Sequence, residues 1–222
     1  FVLKGQYAGG SSFSISQPVL LVSGGYPREA PLTVDPATID PAATQPEDDF
    51  LHSLVSAATP TRYWSGIFDL PGEYAEFNSR FGVRRSYNGS DYTYFHAGLD
   101  FAGGLGLPIK AAADGVVVFA GALTVRGNAT VIDHGWGVYT AYYHQSEIKV
   151  KVGDKVKAGD IIGLVGNTGR VDRSANYPGA GAHLHWEVWV NGIQVNPMDW
   201  LYNQYPVMPQ NKMLPKGKRC LK

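Results

Sequence analysis

The chain has 222 residues, of which 44% are hydrophobic, so it is long enough to bury a core without disulfides. Its 19 Lys and Arg residues balance 19 Asp and Glu residues, which argues against a nucleic-acid binder or a polybasic membrane-surface protein. The single cysteine, Cys220, excludes a disulfide framework and cysteine-based zinc sites. No run of about 18 apolar residues is present, so no membrane span is predicted.

Residues 1–63 are predicted to be an N-terminal accessory and linker region. Residues 12–16 and 18–22 both have strand character, and glycine pairs flank them. Prolines then recur every five residues, at Pro31, Pro36, Pro41 and Pro46. This spacing predicts an extended, wrapping stretch of chain.

One short helix is predicted at the end of this region. Its first turn is placed at residues 45–49, where Pro46 and a run of acidic residues suit the positive end of a helix, and Pro60 ends it. Its apolar residues fall at helical spacing, at Phe50, Leu51, Leu54, Val55 and Ala58. Because such a face needs cover, the helix is expected to pack against the rest of the chain.

Residues 64–202 are predicted to form a mainly β domain, an antiparallel sheet or barrel-sandwich. The 27 glycines and 14 prolines of the chain favour β-structure with many tight turns. Short apolar runs separated by Gly or Asp-Gly have strand character at residues 116–119, 130–133, 138–143, 161–165 and 184–190. No segment of helical period is evident after residue 75. Residues 203–222 are predicted to be a peripheral tail.

Four of the six histidines lie in three short motifs of this domain: His96-Ala97-Gly98-Leu99-Asp100, Tyr142-Tyr143-His144 and His183-Leu184-His185. Alternate residues of a strand project from one face, so His183 and His185 are predicted to point into one space. Imidazole and carboxylate are zinc ligands, and a catalytic zinc site keeps three protein ligands and one open position. One histidine of the pair, with His96 and Asp100, supplies such a set. The other of the pair and His144 remain for acid–base chemistry.

These motifs resemble the lysostaphin/LytM-type zinc metallopeptidases, which cut peptide bonds in bacterial peptidoglycan. The resemblance covers residues 77–200 and includes the segments 79–85, 108–117, 131–135, 152–156 and 162–169. It implies a duplicated-hybrid-motif-like β fold, the zinc ligands His96, Asp100 and His185, and the catalytic histidines His144 and His183. It also implies an exported endopeptidase of the periplasm or cell wall that needs Zn²⁺ and acts on stem or bridge peptides.

The spacing departs from the family pattern in one place. Residues 170–182 separate the Thr-Gly turn from the His-x-His motif, where the family usually has only a few residues. This loop is predicted to border the cleft and to influence which substrate is preferred.

Residues near the motifs are given supporting roles. Strand alternation puts only Tyr142, of two adjacent tyrosines, on the face of His144, so Tyr142 is the candidate for a transition-state hydrogen bond. Asp133 and Glu187 are candidates for orienting an imidazole. His134 is predicted to be a turn or packing residue.

Two alternative functions remain open at this stage. Residues 152–163 also resemble biotinyl or lipoyl carrier domains, but such a carrier needs a modified lysine at a hairpin tip, and none is apparent. A catalytically silent cell-wall binding or regulatory module would have lost a zinc ligand, and none is lost. Neither the bond that is cut, nor which histidine acts as base, nor the oligomeric state is indicated.

Overall fold

A computed structural model describes residues 2–20, 22–73, 76–175, 177 and 179–206. Within this part of the chain there are two α-helices, α1 (Pro41–Val55) and α2 (Pro197–Tyr202), and a 3-10 turn at Pro36–Thr38. The strands, in chain order, are β1 (Val2–Gln6), β2 (Ser12–Ser16), β3 (Phe77–Ser79), β4 (Arg84–Arg85), β5 (Tyr94–Phe95), β6 (Leu99–Ala102), β7 (Pro108–Lys110), β8 (Gly115–Leu123), β9 (Gly127–Gly135), β10 (Val138–Gln145), β11 (Glu147–Ile148), β12 (Lys155–Val156), β13 (Ile161–Leu164), β14 (His183–Val190) and β15 (Ile193–Val195).

One large antiparallel sheet forms the centre of the molecule. Its strand order is β12-β8-β9-β10-β14-β6-β3, and β15 pairs with the other end of β14. A three-stranded sheet of order β11-β13-β7 and the pairs β1-β2 and β4-β5 complete the strand pairing. The predicted mainly β, antiparallel fold, with a small N-terminal strand pair and a short helix, is therefore confirmed.

Side-chain alternation gives the large sheet an apolar core on each face. Leu184 and Trp186 of β14 and Tyr142 of β10 are buried in the first core, which includes Ile109 and Ile162 from the three-stranded sheet. The residues between them on β10 and β14 point to the opposite face. That face carries the second core and, at its other end, a cluster of polar side chains.

Helix α1 covers part of the second face. Leu51 and Val55 are buried there against aromatic side chains of β10 and β14. Glu47 is also buried, and its carboxylate accepts hydrogen bonds from the backbone N–H groups of Val125 and Arg126 at 2.8 and 3.0 Å. The expected packing of this helix on the β domain is confirmed.

The bounds predicted for this helix were wrong. Asp40 caps its N-terminus by accepting a hydrogen bond from the second helical residue at 2.9 Å, and Pro41 occupies the first position. This Asp-Pro pair is the stronger start signal. Pro46 instead lies inside the helix, where it lacks one backbone donor. The helix ends at Val55, well before Pro60.

Other predictions fail or stay untested. The described residues of the 18–22 run lie outside strands. Helix α2 lies inside the predicted β domain, capped by Asn196, and its 6 residues are too few to show a helical period. The predicted domain boundaries stay predictions, and residues 207–222, with Cys220, lie outside the described residues. Neither described helix has the length and apolar character that a membrane crossing requires.

Candidate metal centre

The neighbouring strands β6 and β14 carry a polar cluster. Their antiparallel register places Asp100 directly opposite His185. His183 precedes His185 by two residues and therefore projects from the same face. His96 lies just before β6, four residues from Asp100, and is almost fully buried. The apolar neighbours of these residues point into the first core, so the polar side chains meet on the opposite face.

Three potential ligand atoms converge in this cluster. His96 Nε2 lies 3.0 Å from Asp100 Oδ1 and 2.8 Å from His185 Nδ1. His185 Nδ1 lies 2.7 Å from Asp100 Oδ1. In the part of the chain that the structure describes, these three residues form the group able to hold a metal ion. The structure thus brings together the three residues predicted as zinc ligands.

The surroundings of the two imidazoles fit a metal. His96 Nδ1 lies 3.0 Å from the carbonyl oxygen of Arg80, and His185 Nε2 lies 3.0 Å from Glu187 Oε1. These acceptors place an N–H on the outer nitrogen of each ring and a lone pair at the centre. Burial lowers the pKa of His96 to about 4, so that ring is neutral at neutral pH. Two imidazoles and a carboxylate are the donors of a catalytic zinc site.

The charges around His185 also favour a cation. Burial acts to lower the pKa of His185, but Asp100 and Glu187 outweigh burial and raise that pKa. The position between these two carboxylates therefore attracts positive charge. A divalent metal would supply that charge while the ring itself stays neutral.

Asp100 is held from its outer side by a chain of ion pairs. Its Oδ2 accepts a hydrogen bond from Arg85 Nη2 at 2.7 Å, and Arg85 Nε lies 2.5 Å from Glu29 Oε1. The Ser79 hydroxyl donates to Glu29 Oε2 at 3.0 Å. Burial opposes ionisation of Asp100, but His96 and Arg85 lower its pKa well below the usual value. Through Glu29 the N-terminal region reaches this site, a contact that no motif in the sequence indicated.

His144 and His183 lie beside the three donors. Their ring centroids are 4.8 Å apart, and His183 Nε2 is 3.7 Å from Asp100 Oδ1. In each ring Nδ1 lies 2.7 Å from a backbone carbonyl oxygen, of Thr168 for His144 and of Gly181 for His183. Nδ1 therefore carries the hydrogen and Nε2 is left as the acceptor. Burial lowers the pKa of both histidines, which keeps both rings neutral at neutral pH.

The structure does not bring Tyr142 to this cluster. Its side chain is fully buried in the first core. Its hydroxyl accepts hydrogen bonds from the backbone N–H of Ala112 at 2.8 Å and from the hydroxyl of Thr140 at 3.0 Å. The predicted position of Tyr142 beside His144 is wrong.

The reason is a break in strand alternation just before His144. The register between β10 and β9 shifts there, and His144 has a φ of 61°, in the left-handed region. His144 therefore points to the same side as its neighbour Tyr143. The Tyr143 ring stacks on His185 with centroids 5.6 Å apart, and its hydroxyl lies 3.4 Å from Glu187 Oε2. Strand alternation in the sequence gave no sign that Tyr143, rather than Tyr142, would share a side with His144.

Glu187 contacts His185, as predicted for an orienting residue. Asp133 does not reach the cluster, because its carboxylate accepts a hydrogen bond from the Thr59 hydroxyl instead. His134 is fully buried, with Nδ1 2.8 Å from a backbone carbonyl and Nε2 2.7 Å from a threonine hydroxyl. The structure agrees with a packing role for His134.

Two cavities meet at the cluster. The larger, of about 610 Å³, reaches His144 and both metal-donor histidines, His96 and His185. The smaller, of about 360 Å³, reaches Asp100 and His183. Arg170 lines both cavities, and further residues of the 170–182 loop line the smaller one. The prediction that this loop borders the cleft is confirmed.

Comparison with known proteins identifies the family. Residues 94–197 match the model of peptidase family M23. The chain belongs to peptidase family M23. The match begins just before His96 and ends just after the strands that carry the cluster, so the whole cluster lies within the M23 domain. The resemblance drawn from the sequence motifs is thereby confirmed.

Several known relatives match 54–60% of this chain. ShyA of Vibrio cholerae, a peptidoglycan DD-endopeptidase, is 43% identical over 121 residues, which cover 54% of this chain and 26% of ShyA. A zinc-containing peptidase from Vibrio cholerae has a TM-score of 0.54 at 34% identity, over 60% of this chain and 40% of that one. The chain spans less than a third of the length of the first curated relatives it matches.

The structural likeness also extends beyond the M23 domain. An M23 family structure from Pseudomonas aeruginosa has a TM-score of 0.60 at 27% identity and covers 89% of this chain and 70% of that one. Because this share exceeds that of the M23 domain, the match takes in much of the N-terminal region as well.

Proposed function

We propose that this chain is an exported, zinc-dependent endopeptidase that hydrolyses peptide bonds in peptidoglycan cross-links. The convergence of three metal-donor atoms, 2.7–3.0 Å apart, beside two neutral histidines carries the proposal. Relatives named as a peptidoglycan DD-endopeptidase and a zinc-containing peptidase support the substrate and the metal. The stem or bridge peptides of peptidoglycan are the expected substrates.

His96, Asp100 and His185 are the residues proposed to hold zinc. Bound there, zinc supplies Lewis-acid chemistry, because it makes water a nucleophile at neutral pH and polarises the scissile carbonyl. The protein fixes the donors beforehand. Arg80 and Glu187 hold the two rings, and Arg85 holds the carboxylate.

His144 and His183 are proposed to move the protons of the reaction. Each has an Nδ1–H fixed on a backbone carbonyl, which leaves Nε2 as the acceptor, and each ring lines one of the two cavities. This pair takes the proton of the attacking water and delivers a proton to the leaving amine. Their separation of 4.8 Å lets both rings serve one substrate peptide bond.

The same geometry favours an enzyme over the two alternatives. A silent regulatory module has no need for four histidines and an aspartate in one cleft. In this cluster the ring nitrogens and the carboxylate oxygen that point away from the centre are each held by another protein group. A carrier domain leaves the whole histidine cluster unexplained.

Digestion of purified peptidoglycan, with mass identification of the released fragments, tests the proposal. The zinc-loaded protein should release fragments whose new termini lie at cross-link peptide bonds, with the glycan strands intact. His183→Ala, which keeps all three donors, is the matched control and should release almost none. Cleaved glycan, or no released peptide from the fully zinc-loaded wild type, would reject the proposal.

A further inference from the structure

Three arginines line the larger cavity, and two of them are neutralised by carboxylates. Arg85 is paired with Asp100 of the metal-donor cluster and with Glu29 behind it. Arg126 Nη1 lies 3.3 Å from Glu47 Oε1 and 2.5 Å from Asp48 Oδ1. The third, Arg170, differs from both.

Arg170 makes no ion pair with any residue that the structure describes. Among the described residues no carboxylate lies within ion-pair distance of its guanidinium, which donates to the carbonyl oxygen of Thr38 at 3.2 Å. The guanidinium lies over the Tyr87 ring, 4.7 Å from its centroid. Burial lowers the pKa of Arg170, and the charges of Arg126 and Arg85 lower it further, while Tyr87 and the more distant carboxylate of Asp48 offset only part of this effect. A partly buried charge without a partner costs free energy, yet the fold keeps one here.

Arg170 is also held firmly in place. Its backbone N–H donates to the carbonyl oxygen of Val125 at 2.8 Å. The next residues of the loop are tied to the N-terminal region, since the Thr33 N–H donates to Asp172 Oδ1 at 3.2 Å and the Arg173 N–H donates to the Thr33 carbonyl at 2.6 Å. A preorganised charge binds a ligand without first losing conformational freedom.

The position of Arg170 relates it to the reacting groups. Together with Arg85 and Tyr87 it lines both cavities. The larger cavity contains His144 and the smaller contains His183. A group bound at Arg170 therefore occupies the same cleft as both proton-carrying histidines.

We infer that Arg170 binds a carboxylate of the peptide substrate and so makes the cleft selective for acidic over amidated peptides. This inference rests on the proposed function, because it places a peptide in the cleft. The planar guanidinium suits a carboxylate, with which it forms two parallel hydrogen bonds. It also gives the 170–182 loop, which departs from the family spacing, a task in substrate choice.

The test uses a synthetic cross-linked stem-peptide dimer and versions in which one carboxylate at a time is a carboxamide. Dissociation constants are measured for the zinc-loaded chain of 222 residues in a His183→Ala background, so that the peptide is not consumed. One conversion should weaken binding by about 10- to 100-fold, the range expected for a charged hydrogen bond. The carboxylate whose replacement weakens binding shows whether Arg170 contacts a side-chain carboxylate or the C-terminal carboxylate of the peptide.

Arg170→Gln should abolish this discrimination. Arg173→Gln is the matched control, because Arg173 is an exposed arginine of the same loop that lines neither cavity, and it should discriminate as its parent does. Thermal unfolding identifies any variant that does not fold. Arg170→Lys keeps the charge, so it should keep a preference for the free carboxylate even if Arg170→Gln does not fold.

Two results overturn the inference. One is that every conversion changes affinity equally with and without Arg170. The other is that a folded Arg170→Lys variant is indifferent to the carboxylate. Carboxylate-selective binding, combined with no hydrolysis of peptidoglycan by the zinc-loaded wild-type chain, would instead reject the endopeptidase proposal and leave the role of Arg170 standing.

Discussion

His183 and His185 lie two positions apart on β14 and share a face, yet they contact different groups. His185 Nδ1 meets the other two donors, whereas His183 Nε2 is 3.7 Å from the nearest donor oxygen. We predict that His185→Ala loses zinc, because one of three protein ligands is gone. His183→Ala should retain close to one zinc per chain while turnover falls by about 10²–10⁴-fold. Elemental analysis and peptidoglycan digestion on the same samples measure both effects.

Further variants extend this comparison. His96→Ala and Asp100→Ala should lose zinc like His185→Ala, and His144→Ala should keep zinc like His183→Ala. If His183→Ala loses its metal while His185→Ala keeps it, the roles of the two histidines are reversed.

Tyr143, rather than Tyr142, lies on the face of the sheet that carries His144 and His185. Tyr142→Phe removes a hydroxyl that accepts the buried backbone N–H of Ala112. We predict a loss of about 1–3 kcal/mol in the free energy of unfolding, since that donor is left unsatisfied. Peptidoglycan hydrolysis per folded molecule should be unchanged. Denaturant unfolding and turnover measure the two quantities. A tenfold loss of turnover at unchanged stability would contradict this prediction and indicate a catalytic role for Tyr142.

At the scale of elements, helix α1 is joined to the sheet by one buried carboxylate. Glu47 accepts two backbone N–H groups from the turn between β8 and β9 and also contacts Arg126. We predict that Glu47→Ala lowers the free energy of unfolding by about 2 kcal/mol, because hydrogen bonds to a charged group are lost and buried donors remain. The matched control is Asp49→Ala on the exposed side of the same helix, expected to change it by less than about 0.5 kcal/mol. Equal effects in urea unfolding would contradict this assignment.

The elements that the sequence predicted well are those with a strong local pattern. The runs that became β8, β9, β10, β13 and β14 have apolar stretches bounded by turn residues. His183 and His185, two positions apart on one strand, share a face because side chains alternate along a strand. Helix α1 was placed too late because Pro46 was interpreted as a first-turn proline, although Asp40 and Pro41 give the same signal five residues earlier. In both cases the local pattern carried the information.

The parts that could not be predicted depend on long-range contacts or on irregular backbone. The left-handed conformation of His144 reverses the face of a side chain, and no residue type marks it. The contact from Glu29 to Arg85 joins residues 56 positions apart in the sequence. That Arg170 makes no ion pair with any described residue becomes visible only when all neighbouring carboxylates are placed.

At the scale of the whole molecule, the N-terminal region and the M23 domain depend on each other. Helix α1 buries Leu51 and Val55 on the sheet, and Glu29 supports the metal-donor cluster through Arg85. We predict that removal of residues 1–60 lowers stability or solubility and does not raise activity. Thermal unfolding and peptidoglycan digestion of the truncated chain test this. A large gain in activity with unchanged folding would show that the region inhibits the cleft instead.

The most direct test of the account as a whole is peptidoglycan hydrolysis measured on one preparation in three states. These are the protein as purified, the protein after chelation with verified loss of metal, and the same protein after addition of one equivalent of zinc. Hydrolysis should disappear on chelation and return with zinc, because His96, Asp100 and His185 are placed to bind the metal that activates the attacking water. Full hydrolysis by the verified metal-free protein would contradict the account.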